Sequence, residues 1–260
     1  MKDQMENSKH VLNNRTSRYE HCTMQTQRNL RNLLAAAGTV LIMATSCGNK
    51  PEPETKVVQG QEQAVFLLYD ISRSTDSFGR ISKQDIDYLF VNMAIHGGGT
   101  IYTGYIQANS LRQETGVFVV PALRLEVKGS NFYDNQEIDN VNRQRKNALQ
   151  AQASLVTAQI FQVLSRPKTE GSTDLRNALT LAAQTLASPA CAEKAKTLLI
   201  LSDCVQATGQ PDWFKAESIP TDTRIAVVRP NPAIDLESIF GRNPEVYSSA
   251  GVAFKSNGHP

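Results

Sequence analysis

Three short stretches of the 260-residue chain carry oxygen donors in an order that could hold a metal ion: Asp70-Ile71-Ser72-Arg73-Ser74, Gly171-Ser172-Thr173-Asp174 and Leu201-Ser202-Asp203. Hydroxyl and carboxylate oxygens are hard ligands, suited to Mg2+ or Mn2+ rather than to a soft ion. Two serines separated by one residue can face one ion from a turn, while Thr173 approaches from a helix N-terminus. Catalytic readings fit the same residues less well. Ser72 or Ser74 as a nucleophile needs a positioned base, and none of the four histidines (His10, His21, His96, His259) stands in a triad context. Asp70 as a phosphoryl acceptor lacks a second acid two places on. Cys22, Cys47, Cys191 and Cys204 are irregularly spaced with no CxxC, which argues against a disulfide framework and a structural zinc site.

Elements with alternating character must position these donors. Ala64 to Ile71 is a nearly continuous apolar run, as expected of a strand buried on both faces. Ser82 and Asp85 form a capping-box pattern ahead of a helix whose apolar face is Ile86, Leu89, Phe90 and Met93, and Gly97 to Gly99 stop it. Thr100 to Ala108 and Gly116 to Val127 read as strands, the second at a sheet edge because Pro121 cannot donate to a ladder. Leu149, Ala153, Val156, Ile160 and Val163 mark an amphipathic helix ending near Ser165, and Leu175, Leu179, Ala182 and Leu186 mark the next. Lys196 to Ser202 and Arg224 to Arg229 are two further buried strands. Ile234 to Phe240 suggests a short helix, and Gly251 to Lys255 a last strand. Strands separated by helices imply a parallel sheet covered on both faces, with ligands bound beyond its carboxyl ends.

The DxSxS string after a buried strand, followed in order by GSTDLRNAL and LLILSD, resembles the von Willebrand factor A domain with its metal-ion-dependent adhesion site. The resemblance runs from about Gln63 to Phe240. It implies an α/β, Rossmann-like doubly wound sheet, mostly parallel with one antiparallel edge strand. It also implies a metal site of Asp70, Ser72, Ser74, Thr173 and Asp203, with the three hydroxyls as direct ligands and the two carboxylates orienting them and bound waters. An ion touched by few anionic oxygens stays electrophilic enough to take a carboxylate from a protein partner. Arg73 within the motif either steers such a ligand or is simply solvated. Trp213, beside Phe214 after Asp203, is either a partner anchor or a cap on the sheet edge. His96 reads as a helix terminus rather than a ligand. The sequence departs from the family pattern at Cys204, where Gly is common, in the long interval from Ser74 to Thr173, and in having no evident final long helix after Phe240.

The front of the chain reads as an address. Arg28 and Arg31 precede an uncharged stretch from Asn32 to Asn49 whose densest apolar part is Leu33 to Ala44, too short to span a bilayer and right for a signal peptide. It ends Ala44-Thr45-Ser46-Cys47, which resembles a bacterial lipoprotein signal with Cys47 as the lipidated residue. Met24 is the better start for such a signal. The organisation expected is an N-terminal extension and signal over 1–46, a solvated tether over 47–62 and the A-type domain over 63–260. Residues 1–46 hold six bases against three acids, which leaves 21 bases against 22 acids in the rest, so a nucleic-acid surface is not supported. These readings lead to a non-enzymatic, lipid-anchored protein of the bacterial cell envelope, on its periplasmic or surface face, that binds a protein partner through Mg2+ or Mn2+. The runner-up is a scaffold or assembly subunit of an envelope complex whose metal only holds loops.

Overall fold

The computed structural model describes residues 60–75, 81–129, 132–165, 171–206 and 218–256, with the side chains of Ser74 and Phe132 excepted. Cys47, Met24, Trp213, Phe214 and the Ser74 side chain therefore lie outside the described residues.

Strand β1 (Gln63–Asp70) is buried along its whole length and divides the core by its period of two. Val65, Leu67 and Tyr69 face one side, Ala64, Phe66 and Leu68 the other. On the first side lie helices α1 (Lys83–Ile95), α2 (Phe132–Leu164) and α5 (Ala250–Ser256), contributing Leu89, Phe90, Ala153, Ile160 and Phe254. On the second lie α3 (Leu175–Leu186) and α4 (Leu236–Phe240), contributing Leu175, Leu179, Leu186 and Phe240. The sheet is completed by β2 (Gly99–Ile106), β3 (Gly116–Val120), β4 (Ala195–Leu201), β5 (Thr223–Val228) and β6 (Glu245–Tyr247) in the order β3-β2-β1-β4-β5-β6. Only the β2–β3 pair is antiparallel. This is the doubly wound, mostly parallel sheet with one antiparallel edge strand.

Local chemistry sets the element ends. Ser82 caps α1 through a reciprocal box with Asp85, and the run Gly97, Gly98, Gly99 follows its C-cap His96 with φ of 109°, 74° and 139°. A Cβ on Gly99 would stand 1.9 Å from the Gln63 carbonyl oxygen, so only glycine lets the chain enter β2 this close to β1.

Three sequence expectations are corrected. Gly251 to Lys255 is helical rather than a strand, because Ala250, Ala253 and Phe254 bury one face at helical spacing. The strand expected to run to Val127 ends at Val120. Pro121 cannot continue the ladder, and the chain bends to where the Leu123 amide donates to the Ala94 carbonyl at the end of α1. The helix expected from Leu149 begins at Phe132. Its first half has too few apolar residues to show a stripe and is held instead by polar clips to residues 121–129. Asn142 bonds both the amide and the carbonyl of Glu126, at 2.8 and 2.9 Å, Arg145 pairs with Glu126 at 2.7 Å, and Lys128 pairs with Asp139 at 2.7 Å. The extra length between Ser74 and Thr173 thus lies mostly in a 33-residue helix. Strand β6, three residues at an edge, was not foreseen.

Candidate metal centre

Helix α1 leaves β1 toward one face, while α3, which precedes β4, lies on the other, so a crevice opens where β1 and β4 end side by side. This is the position at which doubly wound sheets bind ligands. Tyr69 pairs with Leu201 in the ladder, which sets Asp70 beside Ser202 one step beyond.

Asp70 is fully buried. One carboxylate oxygen accepts the Ser72 amide at 2.8 Å and the other accepts the Ser202 hydroxyl at 2.6 Å. The same Ser202 hydroxyl oxygen accepts the Cys204 amide at 2.9 Å, so one serine ties β1 to the turn that carries Asp203. After Ser72, the chain makes a tight 3-10 turn over Arg73–Thr75, which buried Thr75 pins by donating its hydroxyl to the Ser72 carbonyl at 2.9 Å. Arg73 projects from this turn and is exposed.

Thr173 and Asp203 meet through one residue. The Thr173 hydroxyl donates to the Val205 carbonyl at 2.6 Å, and the Val205 amide donates to Asp203 Oδ1 at 3.0 Å. Thr173 spends its proton on Val205, which leaves its oxygen's lone pairs for another acceptor role. Asp174, the next residue, is the N-cap of α3 and accepts the Asn177 amide and side-chain N–H groups. Ser110 braces that cap by donating to the Asp174 carbonyl at 2.9 Å. The Asp203 carbonyl accepts the Asn231 amide from the loop after β5.

The structure thus brings Asp70, Ser72, Thr173 and Asp203 to one end of two adjacent strands. Ser202 and the Val205 backbone are the linking groups that sequence reasoning assigned no role. Ser202 was legible as a hydroxyl directly before the acid at a strand end, whereas nothing in the sequence marks the Val205 carbonyl. Cys204 stands at φ 60°, the left-handed region, so it holds the backbone shape that glycine would take there. Its thiol is pushed up to about 12 by burial, then by the Asp203 and Asp70 charges, and is a neutral packing group.

Burial pushes the Asp70 carboxyl above its ordinary value, and the Asp203 charge adds to this, while the bonds from Ser202 and Ser72 pull it back. A cation beside Asp70 would oppose the burial directly. Among the described residues no cluster of three or more His, Cys, Asp or Glu could hold a metal, and none is required of a hydroxyl-based set. Two carboxylates with two hydroxyls, all in a buried cup, fit a hard oxygen-preferring divalent cation.

The strand order with its single antiparallel edge agrees with what the motif resemblance implies. By strand order and its one antiparallel edge, the fold is von Willebrand factor A-like. No family model matches the chain, and no curated protein matches it. Solved structures similar to it include manganese-loaded TRAP protein of Plasmodium vivax, at 13% identity and TM-score 0.40 over 75% of this chain and 71% of that one. Others are proximal thread matrix protein 1 of the mussel byssus, at 13% identity and TM-score 0.38 over 76% of this chain, and a von Willebrand factor type A protein of Catenulispora acidiphila, at 14% and 0.35 over 65%. This chain spans 47% of the mussel protein and 33% of the Catenulispora one.

Proposed function

We propose that this A-type domain binds a divalent cation, Mg2+ or Mn2+, and through it a carboxylate offered by a protein partner. The observation that carries the reading is the joining of all three donor stretches at the β1–β4 crevice by two short bridges, Asp70 to Ser202 and Thr173 to Val205 to Asp203. Ser72, Ser74 and Thr173 would offer their oxygens to the ion. Asp70 and Asp203 would orient those hydroxyls and hold waters. The ion would supply a Lewis-acidic position for the incoming carboxylate, and exposed Arg73 would add a positive charge at the rim. The proposed role is binding without turnover: among the described residues the one histidine, His96, caps α1 at the far end of the strands from this cup. Lipidation at Cys47 would anchor the protein in the bacterial cell envelope, with Trp213 as a further partner contact.

The test is Mn2+ titration of the full chain by electron paramagnetic resonance, with Thr173→Ala and Asp203→Asn beside wild type, and partner capture with Mg2+ and with chelator. The expected result is loss of Mn2+ uptake in Thr173→Ala, milder loss in Asp203→Asn, and capture that chelation abolishes. A folded wild-type chain that takes up no Mn2+ at about millimolar concentration overturns the metal reading. Capture that ignores chelator would favour the scaffold role instead.

A further inference from the structure

Arginines gather at the same end of the sheet as the cup. Arg73 lies in the turn after β1, Arg112 closes the 3-10 turn Ser110–Arg112 after β2, Arg176 stands in the first turn of α3, and Arg229 directly follows β5. The segments that carry them are bonded to one another around the crevice. The Asp174 amide donates to the Gln107 carbonyl and the Arg176 amide to the Gln206 side-chain oxygen, each at 3.1 Å, while the Asn231 amide donates to the Asp203 carbonyl at 2.9 Å. Two of the four arginines stand against local preference. Arg176 puts a cation beside a helix N-terminus, which the helix dipole disfavours, and Arg229 holds φ 54°, a conformation uncommon outside glycine. Such local conflicts concentrate where function requires them. Arg73, Arg112 and Arg229 are exposed, and none is ion-paired to another described residue. Of the exposed acids on the described loops at this end, Asp235 is engaged as the N-cap of α4, and Glu114 stands just ahead of edge strand β3.

We propose that the partner is an acidic, extended stretch of protein, with further carboxylates two residues to either side of the one the ion takes, drawn by Arg112 from the β2 side and by Arg229 from the β5 side. This partner chemistry rests on the metal reading of the cup and adds the recognition of neighbouring charges to it. Adjacent strands lie about 4.8 Å apart, so β2 and β5 each stand about 7 Å from the midline between β1 and β4. In an extended peptide, residues two apart point to the same face at about 6.6 Å, so acids flanking the central one fall over the ends of those two strands. Guanidinium groups pair with carboxylates through charge-assisted, often bidentate, hydrogen bonds. General basicity does not account for the gathering, because beyond residue 46 the chain holds 21 bases against 22 acids.

The test is fluorescence polarisation with the full, Mn2+-loaded chain in non-denaturing detergent and two labelled glycine-based peptides. One peptide carries a single central aspartate, the other carries that aspartate and one more two residues away on each side. Mn2+ uptake and circular dichroism are followed for every variant. Wild type is expected to bind the triple-aspartate peptide about tenfold tighter or more at roughly 0.05 M salt, with the advantage shrinking at about 0.5 M as the exposed arginines are screened. Arg112→Glu should remove most of that advantage while Mn2+ uptake and single-aspartate binding stay as in wild type, and Arg229→Gln should remove part of it. Equal affinity of Mn2+-loaded wild type for the two peptides overturns this proposal and leaves the metal reading standing, whereas absent Mn2+ uptake removes both. An Arg112→Glu chain that keeps the full preference also overturns it. So does triple-aspartate binding undiminished by chelator, which would make the rim a general polyanion surface with no part for the ion.

Discussion

At the cup, Cys204 replaces a glycine-like position without changing the backbone: its φ of 60° is tolerated because the Ser202 hydroxyl anchors its amide from one side and the buried thiol fills space on the other. Cys204 already bears the cost of the left-handed conformation, about 1–2 kcal/mol, and a β-branched residue would add the conflict of a second γ branch in a packed site, about 1–3 kcal/mol. Cys204→Val is therefore expected to lower stability by about 2 kcal/mol or more, while Cys204→Gly trades relief of strain against lost packing and stays within about 1 kcal/mol of wild type. Urea unfolding of the three chains checks this, and equal stability of the valine and glycine variants would contradict the strained-turn account. Ser202 is a second residue-scale test. Ser202→Ala removes the donor to a buried carboxylate and leaves it short of a partner, which should cost about 1–3 kcal/mol in metal-free protein by the same measurement.

Among the elements, the far edge is a clasp in which Arg224 of β5 holds Glu245 and Tyr247 of β6 and Ser256 of α5. The hydrogen bond from Arg224 holds the Glu245 carboxyl below its ordinary value, so the unfolded chain binds its proton more readily than the folded one. The stabilisation is fully present above the ordinary glutamate value of about 4.3 and is lost as pH falls through the lower folded value. With Glu245 about half exposed, the contribution should stay below about 1 kcal/mol. Glu245→Gln is expected to leave the acid limb of a stability-versus-pH curve shallower and the neutral region almost unchanged; an unaltered acid limb would show that the clasp does not couple to folding. At the start of α1, Ser82→Ala should cost about 1 kcal/mol through loss of the side-chain half of the capping box, with the residue-82 amide still donating to Asp85, read from the thermal midpoint.

For the whole molecule, a cation that binds only the folded cup must stabilise the entire domain by mass action. At a concentration a hundredfold above its dissociation constant the gain is about 2.7 kcal/mol. For a domain near 200 residues this is a rise of about 5–10 °C in the unfolding midpoint. Differential scanning calorimetry with Mn2+ should show that rise in wild type and none in Thr173→Ala, while Ca2+-free buffer with chelator returns wild type to its baseline. At the same scale, Cys47→Ser is expected to release the protein from membranes, checked by fractionation; an unmodified Cys47 in the mature protein, by mass spectrometry, would remove the anchor from the account.

Periodicity and capping chemistry made most of the interior legible before any coordinates. The apolar runs of β1 and β4, the Ser82–Asp85 box and the stripe of α3 are local signals, set by neighbours a few residues away. The donor order Asp70, Ser72, Thr173, Asp203 was equally legible, because strand ends and helix starts are where such residues must stand. Tertiary structure decided what depends on distant partners. The first half of α2 exists as a helix against Glu126 and Lys128 rather than through its own apolar stripe, and α5 is helical because Phe254 finds a slot beside β5 and α1. The Val205 carbonyl became part of the cup for the same reason: a backbone oxygen carries no sequence signature, and only the approach of α3 to the turn after β4 gives it a partner.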